Sequence, residues 1–316
     1  MNDGKDITQI SEPIRLVRES LWEEDNRFLK ICRSLPGEIV IAVLLYFLLQ
    51  RLLVPLIGSF AVNNVLYPLM GDSLRDYLVP IQAYCEIIMM AGLILYMRFA
   101  ERRKFPAMGF IRKKALLKYL LGLIAGFVIF SIILLVSVGV TGGSIAFSGK
   151  LSPGMLLFAL GGYMIQGMAE EVEARSYIFL SVSRKHKAYV GILVSGLLFG
   201  VIHLNNTGAT AVSVLNTTLI GFAFCLMFMA SESLWFIGAF HSIWNFAQGN
   251  IYGIAVSGND AGDSLFAATL GGENTLLTGG AYGVEGNIIT TIVVLALMAV
   301  TVAIMRRKNL RLKEGA

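Results

Sequence analysis

The chain has 316 residues, of which 56% are hydrophobic and only 15% charged, and its mean hydropathy is +0.70. A typical soluble domain carries roughly 25% charged residues, so this composition excludes an ordinary soluble enzyme and points to the bilayer. The formal net charge is +5, but the basic residues fall between apolar runs, so the charge reads as loop bias rather than as a nucleic-acid footprint.

Residues 1–35 form a mixed-charge N-terminal segment without the continuous apolar stretch of a secretory signal, so no cleavage is expected. Ile14, Val17, Leu21, Phe28 and Ile31 recur there at roughly helical spacing between charged positions. This predicts either an amphipathic helix over 13–34 on the inner membrane surface or a solvated lead-in.

A crossing helix needs about 20 apolar residues. The sequence offers eight such segments, near 37–57, 79–98, 116–140, 153–175, 188–204, 211–230, 234–250 and 287–305. Lys and Arg cluster before the first (Arg27, Lys30, Arg33), after the second (Arg102 to Lys114), after the fourth (Arg184, Lys185, Lys187) and after the eighth, whereas 251–286 has none. By the positive-inside rule those basic segments and both termini are cytoplasmic. The outer segment 251–286 is glycine-rich and carries only acids, Asp260, Asp263, Glu273 and Glu285, which reads as an irregular loop or lid. The expected fold is therefore an all-α polytopic membrane helical bundle of about eight transmembrane helices. It spans 36–306 as one domain, with a basic cytoplasmic tail at 307–316. Cys32, Cys85 and Cys225 have neither disulfide-framework nor zinc-ribbon spacing and read as small core residues.

Within the fourth apolar segment, GMAEEVEARSYIFL (167–180) places Glu170, Glu171, Glu173 and Arg175 in six residues. An ionised side chain at the bilayer centre costs about 2.5–3.5 kcal/mol on insertion scales, so these groups must face protein or water. The bland alternative is the inner end of a span, with Arg175 snorkelling. At helical spacing Glu171 and Arg175 share one face as an ion pair, while Glu170 and Glu173 share another. One glutamate is then held and another left for chemistry. His186, in the basic run RKHK, reads as a solvated bystander. His203 closes FGVIH, four residues after Phe199, and His241 opens HSIWN, four residues before Asn245. Each alone is equally compatible with a plain hydrogen bond to a neighbouring helix. Together with a carboxylate they are the parts of water-dependent amide hydrolysis: a base for water, an imidazole to share the proton, and imidazole and amide N–H groups for an oxyanion. A serine route is weaker, because no GxSxG elbow exists and Ser195 lies two turns before His203 on the same helix.

EEVEAR, FGVIH and HSIWN resemble, in order, spacing and span context, the EExxxR, FxxxH and HxxxN motifs of the CAAX prenyl endopeptidase type 2 family, also called CPBP or Abi intramembrane proteases. The resemblance covers about residues 150–250. It implies Glu170 as the water-activating glutamate, Glu171 and Arg175 as its neighbouring acid and structural partner, and His203 as the residue sharing water activation. It further implies His241 and Asn245 as oxyanion donors and Phe199 as a packing residue. The chain departs from the family pattern at Glu173, commonly apolar, at Ala174, commonly a bulky aromatic, and at Ser176, commonly glycine.

The reading these residues favour is an intramembrane endopeptidase acting without a cofactor, in the plasma membrane of a prokaryote. The alternative chemistry is a zinc site with Glu170, His203 and His241 as ligands. The expected partners are the lipid bilayer and a peptide or protein substrate, either prenylated or a secreted or membrane peptide, and no nucleic acid. Two other classes stand beside it. One is a non-catalytic, immunity-type membrane relative, against which the complete Glu, His, His, Asn set argues. The other is a proton-coupled transporter, against which the lack of an inverted-repeat signal argues.

Overall fold

The computed structural model describes residues 11–20, 34–150, 152–260 and 262–308, and these are mostly helical. Helix α1 (Glu12–Glu19) has a strongly one-sided apolar pattern, and it buries Ile14 and Val17 against the bundle. Arg18 donates to the carbonyls of Ser183 and His186 at 3.1 and 3.2 Å. The apolar face of α1 thus meets protein here, while residues 21–33 of the expected amphipathic segment lie outside the described residues.

Helix α2 (Leu35–Arg75) begins where Ser34 accepts from the Gly37 N–H and Pro36 occupies the first turn. It is followed by α3 (Leu78–Ala100) and α4 (Ala115–Thr141), the latter stopped by Gly142 in the left-handed region. Next come α5 (Pro153–Glu171), a π-helical continuation (Val172–Phe179) and α6 (Leu180–Lys185), which together form one long rod. The remaining helices are α7 (Ala188–Ile202), α8 (Ala211–Ser231), α9 (Leu234–Phe246) and α10 (Ile288–Arg307).

Among the described residues, five helices are long and apolar enough to cross a membrane: α2, α3, α4, α8 and α10. The other three expected spans are the helices bearing the motifs. At roughly 1.5 Å per residue α7 is only about 22 Å long, α9 is shorter still, and α5 carries the acidic cluster. α9 and the second half of α5 are largely covered by protein, whereas α7 is buried on one face and turns Tyr189, Leu193, Leu197 and Val201 outward on the other.

One departure from an all-helical chain is an antiparallel pair, β1 (Ser144–Phe147) with β2 (Phe266–Thr269), in register Ser144↔Thr269 to Phe147↔Phe266. Two four-residue strands in glycine-rich sequence give too short an alternation to be read in advance. The ladder ties the middle of the 251–286 segment to the chain just after α4. At the opposite end of the bundle, Leu234 N–H donates to the Gly109 carbonyl at 2.9 Å, Lys118 to the Glu232 carbonyl at 3.3 Å and Lys308 to the Ala230 carbonyl at 2.9 Å. The basic loops therefore gather at one end and the acidic glycine-rich segment at the other. Cys85 and Cys225 are free thiols, and Cys32 lies outside the described residues.

Candidate active site

The site depends first on how closely α5 and α9 approach. A Cβ on Gly167 would sit 2.6 Å from Ser242 Cα, so only glycine admits this contact, and it sets the acidic end of α5 beside His241. Glu171 and Arg175 are fully buried, with Arg175 Nη1 3.0 Å from Glu171 Oε1 and Nη2 donating to the Gly221 carbonyl at 3.3 Å. The guanidinium lies over the rings of Phe199 (4.8 Å) and Phe224 (5.1 Å). Arg175 is therefore turned into the protein core and does not snorkel. Phe199 packs on three partners at once, the Arg175 cation and the rings of His203 and His241.

Glu171 Oε1 also accepts from His241 Nδ1 at 2.8 Å. A carboxylate only accepts, so Nδ1 carries the hydrogen, and the other nitrogen faces Glu170, with Nε2 3.7 Å from Oε2. His203 sits at the C-terminal cap of α7, just past the helix rather than inside it, and its Nδ1 lies 2.7 Å from the Phe199 carbonyl. That carbonyl requires a hydrogen on Nδ1, which leaves Nε2 of the neutral ring as an acceptor. The two histidines are thus set up differently, one pinned to a carboxylate and the other to a backbone oxygen.

Glu170, His203, His241, Asn245 and Phe199 line one cavity of about 60 Å³. A water needs roughly 10–15 Å³ of such space, so the cavity has room for a few waters and none for a peptide. Gln166 bridges two of the proposed groups: its Nε2 donates to Glu170 Oε1, and its Oε1 accepts from Asn245 Nδ2 at 3.0 Å. Sequence reasoning missed this residue, whose one signal is its place a turn before Glu170. Val256, Ser257 and Asn259 of the glycine-rich 251–286 segment close the cavity. Glu285 holds that cover by accepting from Ser257 N–H (2.9 Å), Ser257 Oγ (2.6 Å) and Trp244 Nε1 (2.8 Å). Behind it Tyr282 is fully buried against Thr217 at 3.0 Å. Burial first, and then the Glu285 charge, pushes its phenol up to about 12, so it stays a neutral hydrogen-bonding group.

Glu173 does not share the face of Glu170. It sits where the helix begins to wind in the wider i→i+5 pattern, and it lines a different cavity, across Phe199 from that of Glu170. Ser195 is buried and donates to the Ala174 carbonyl at 2.7 Å, a structural bond. Glu86 accepts from Gln50 at 2.8 Å and does not line the cavity of the motif residues. Glu170, His203 and His241, the alternative zinc ligands, line the same cavity, yet among the described residues no three His, Cys, Asp or Glu side chains are gathered as a metal-holding group.

The helices that supply these side chains, from the start of α5 to the end of α9, form a continuous stretch of chain. Residues 152–247 match the type II CAAX prenyl endopeptidase Rce1-like family model. Every motif residue falls inside this Rce1-like segment, whereas Ser257 and Glu285, which close the cavity, lie beyond it. The comparison with curated proteins gave no match. The Rce1-like segment and the five long apolar helices make this an integral membrane protein.

Proposed function

We propose that the protein is an intramembrane endopeptidase that hydrolyses a peptide bond with water activated by Glu170 and His203. The observation that supports this most directly is one small polar cavity, inside the Rce1-like segment, lined by Glu170, His203, His241 and Asn245. Water in that cavity gives a proton to the Glu170 carboxylate as its oxygen attacks the scissile carbonyl carbon, and His203 Nε2 accepts a hydrogen bond from the same water. The carbonyl π electrons move to oxygen, and the resulting oxyanion accepts from Asn245 Nδ2–H and His241 Nε2–H. Because His241 Nδ1 already donates to Glu171, donation from Nε2 as well requires the imidazolium, which Glu171 and Glu170 flank. Collapse breaks the C–N bond, and the proton held by Glu170 passes to the leaving amine. Asn245 must first release Gln166, and the cover at 256–259 must move, before a peptide reaches these groups.

In this reading the chain crosses the bilayer eight times, with α5–α6, α7 and α9 as the crossings that carry the motifs and both termini cytoplasmic. Cysteines introduced at Lys187 and Asp263, both exposed, then label from opposite faces of sealed vesicles; labelling from one side overturns it. Substrates are membrane-borne or secreted peptides, prenylated ones included. The deciding experiment is incubation of the nanodisc-embedded protein with prenylated and unprenylated peptides and mass spectrometry of the products. Cleavage at a defined bond supports the enzyme; a folded protein that cleaves none of them supports the non-catalytic relative. The metal alternative is tested by exhaustive chelation: hydrolysis that persists in metal-free protein supports glutamate chemistry, and loss restored by stoichiometric zinc supports zinc ligation by Glu170, His203 and His241.

A further inference from the structure

A second cavity, larger than the catalytic one, adjoins the candidate active site. A space of about 390 Å³ lies between α2 and α7 and is lined by Tyr46, Phe47, Arg51, Glu173, Leu198 and Phe199 among others. Its volume is within the range of ligand pockets, roughly 300–1,000 Å³. Phe199 also walls the catalytic cavity, so the two spaces are neighbours across one ring. Phe47 and Val201, at its rim, are 59% and 54% exposed on helix faces that only hydrocarbon can cover, so the space opens sideways to the bilayer.

Glu173 is the anomaly in this apolar space. It is only 7% exposed, and among the described residues it has neither a hydrogen-bond nor an ion-pair partner. The neighbouring cations do not serve it. Arg175 is committed to Glu171 and the Gly221 carbonyl, and Arg51 lies 5.5 Å over the Tyr46 ring. Glu170, on the preceding turn, and Glu86 add negative charge to the same region. A lipid acyl chain filling the cavity offers Glu173 nothing, and a helical peptide's backbone N–H groups are already used internally. What is missing is a cationic side chain. Such a side chain is itself costly in hydrocarbon, and so is an unpaired carboxylate, so pairing offsets both penalties.

We propose that this cavity seats an apolar stretch of membrane-borne peptide substrate carrying one lysine or arginine, and that Glu173 binds its cation and selects for it. Cleavage of that peptide rests on the endopeptidase reading; its binding does not. The test uses the full chain in nanodiscs and photoreactive apolar peptides of about 20 residues, in which a single lysine is moved along the sequence, each paired with a norleucine counterpart. At the matching position lysine should improve competition roughly tenfold or more, with crosslinks on 42–51 and 198–205. In Glu173→Gln the lysine preference should fall to within about twofold, while the unfolding temperature does not drop, because Glu173 pairs with nothing in the unliganded protein. Equal binding of lysine and norleucine peptides by the wild type at every position, or a preference that survives Glu173→Gln, overturns the proposal. If Glu173→Gln does not fold, the wild-type preference and the crosslink map decide it. Lysine-selective binding without cleavage leaves this inference standing and removes the endopeptidase reading; cleavage without lysine selectivity does the reverse.

Discussion

α2 and α8 are both long apolar helices, yet only 11% of the most apolar window of α2 is buried in the protein, against 72% of that of α8. α2 turns Leu44, Phe47, Leu48, Leu52 and Phe60 outward, while α8 buries Ser213, Asn216 and Thr217 among its apolar side chains. Hydropathy alone does not separate the two, because lipid and protein interior are similarly apolar solvents. The difference lies in what each helix must satisfy. An outer helix needs only a hydrocarbon surface, whereas an inner one must pair polar groups and fit backbones together, and that is where a chemical site can be held rigidly.

The contrast between inner and outer positions is broken most readily at Arg175. Its removal by Arg175→Ala strands the fully buried Glu171 and should destabilise the folded protein by about 3–5 kcal/mol in detergent, read by thermal unfolding. The double change Glu171→Gln with Arg175→Gln should cost less than the single one. Strict additivity across that cycle would show that the pair is not coupled.

Gly167 and Gly139 sharpen the same contrast with a smaller effect. Gly167→Ala drives a methyl into the Ser242 backbone and should cost about 1–3 kcal/mol. A methyl added at Gly139, on α4, meets no atom within 4 Å, so Gly139→Ala should stabilise by up to about 1 kcal/mol through helix propensity alone. Equal effects at the two positions would contradict the inner and outer assignment. Smallest of all should be Leu48→Ala on the outer face of α2, within about 0.5 kcal/mol, since lipid refills the space. A loss matching that of Phe228→Ala, at a fully buried position of α8, would place α2 inside the protein instead.

Spacing of four residues makes much of the site legible in the sequence. Glu171 with Arg175 and Phe199 with His203 are in contact in the structure, as helix geometry demands of neighbours one turn apart. Long apolar runs likewise announce α2, α3, α4, α8 and α10. What stays hidden depends on tertiary placement. The use of Gln166 follows from the meeting of α5 with α9, and that of Glu285 from a loop folding back over a distant cavity, neither of which has a local signal. Glu173, at the start of the wider winding, lines a different cavity from Glu170, a tertiary placement that helical spacing alone does not give. The three motif helices resemble spans in hydropathy, yet polar groups they carry are satisfied by contacts with one another.

The central claim is that Glu170 activates the attacking water, and the most direct measurement is kcat/KM for peptide cleavage by Glu170→Gln in nanodiscs, with His186→Ala as the control. The expected result is a loss of roughly 100- to 10,000-fold in Glu170→Gln, with an unfolding temperature like that of the wild type, and no change in His186→Ala. Cleavage by folded Glu170→Gln within about threefold of the wild type would contradict the claim.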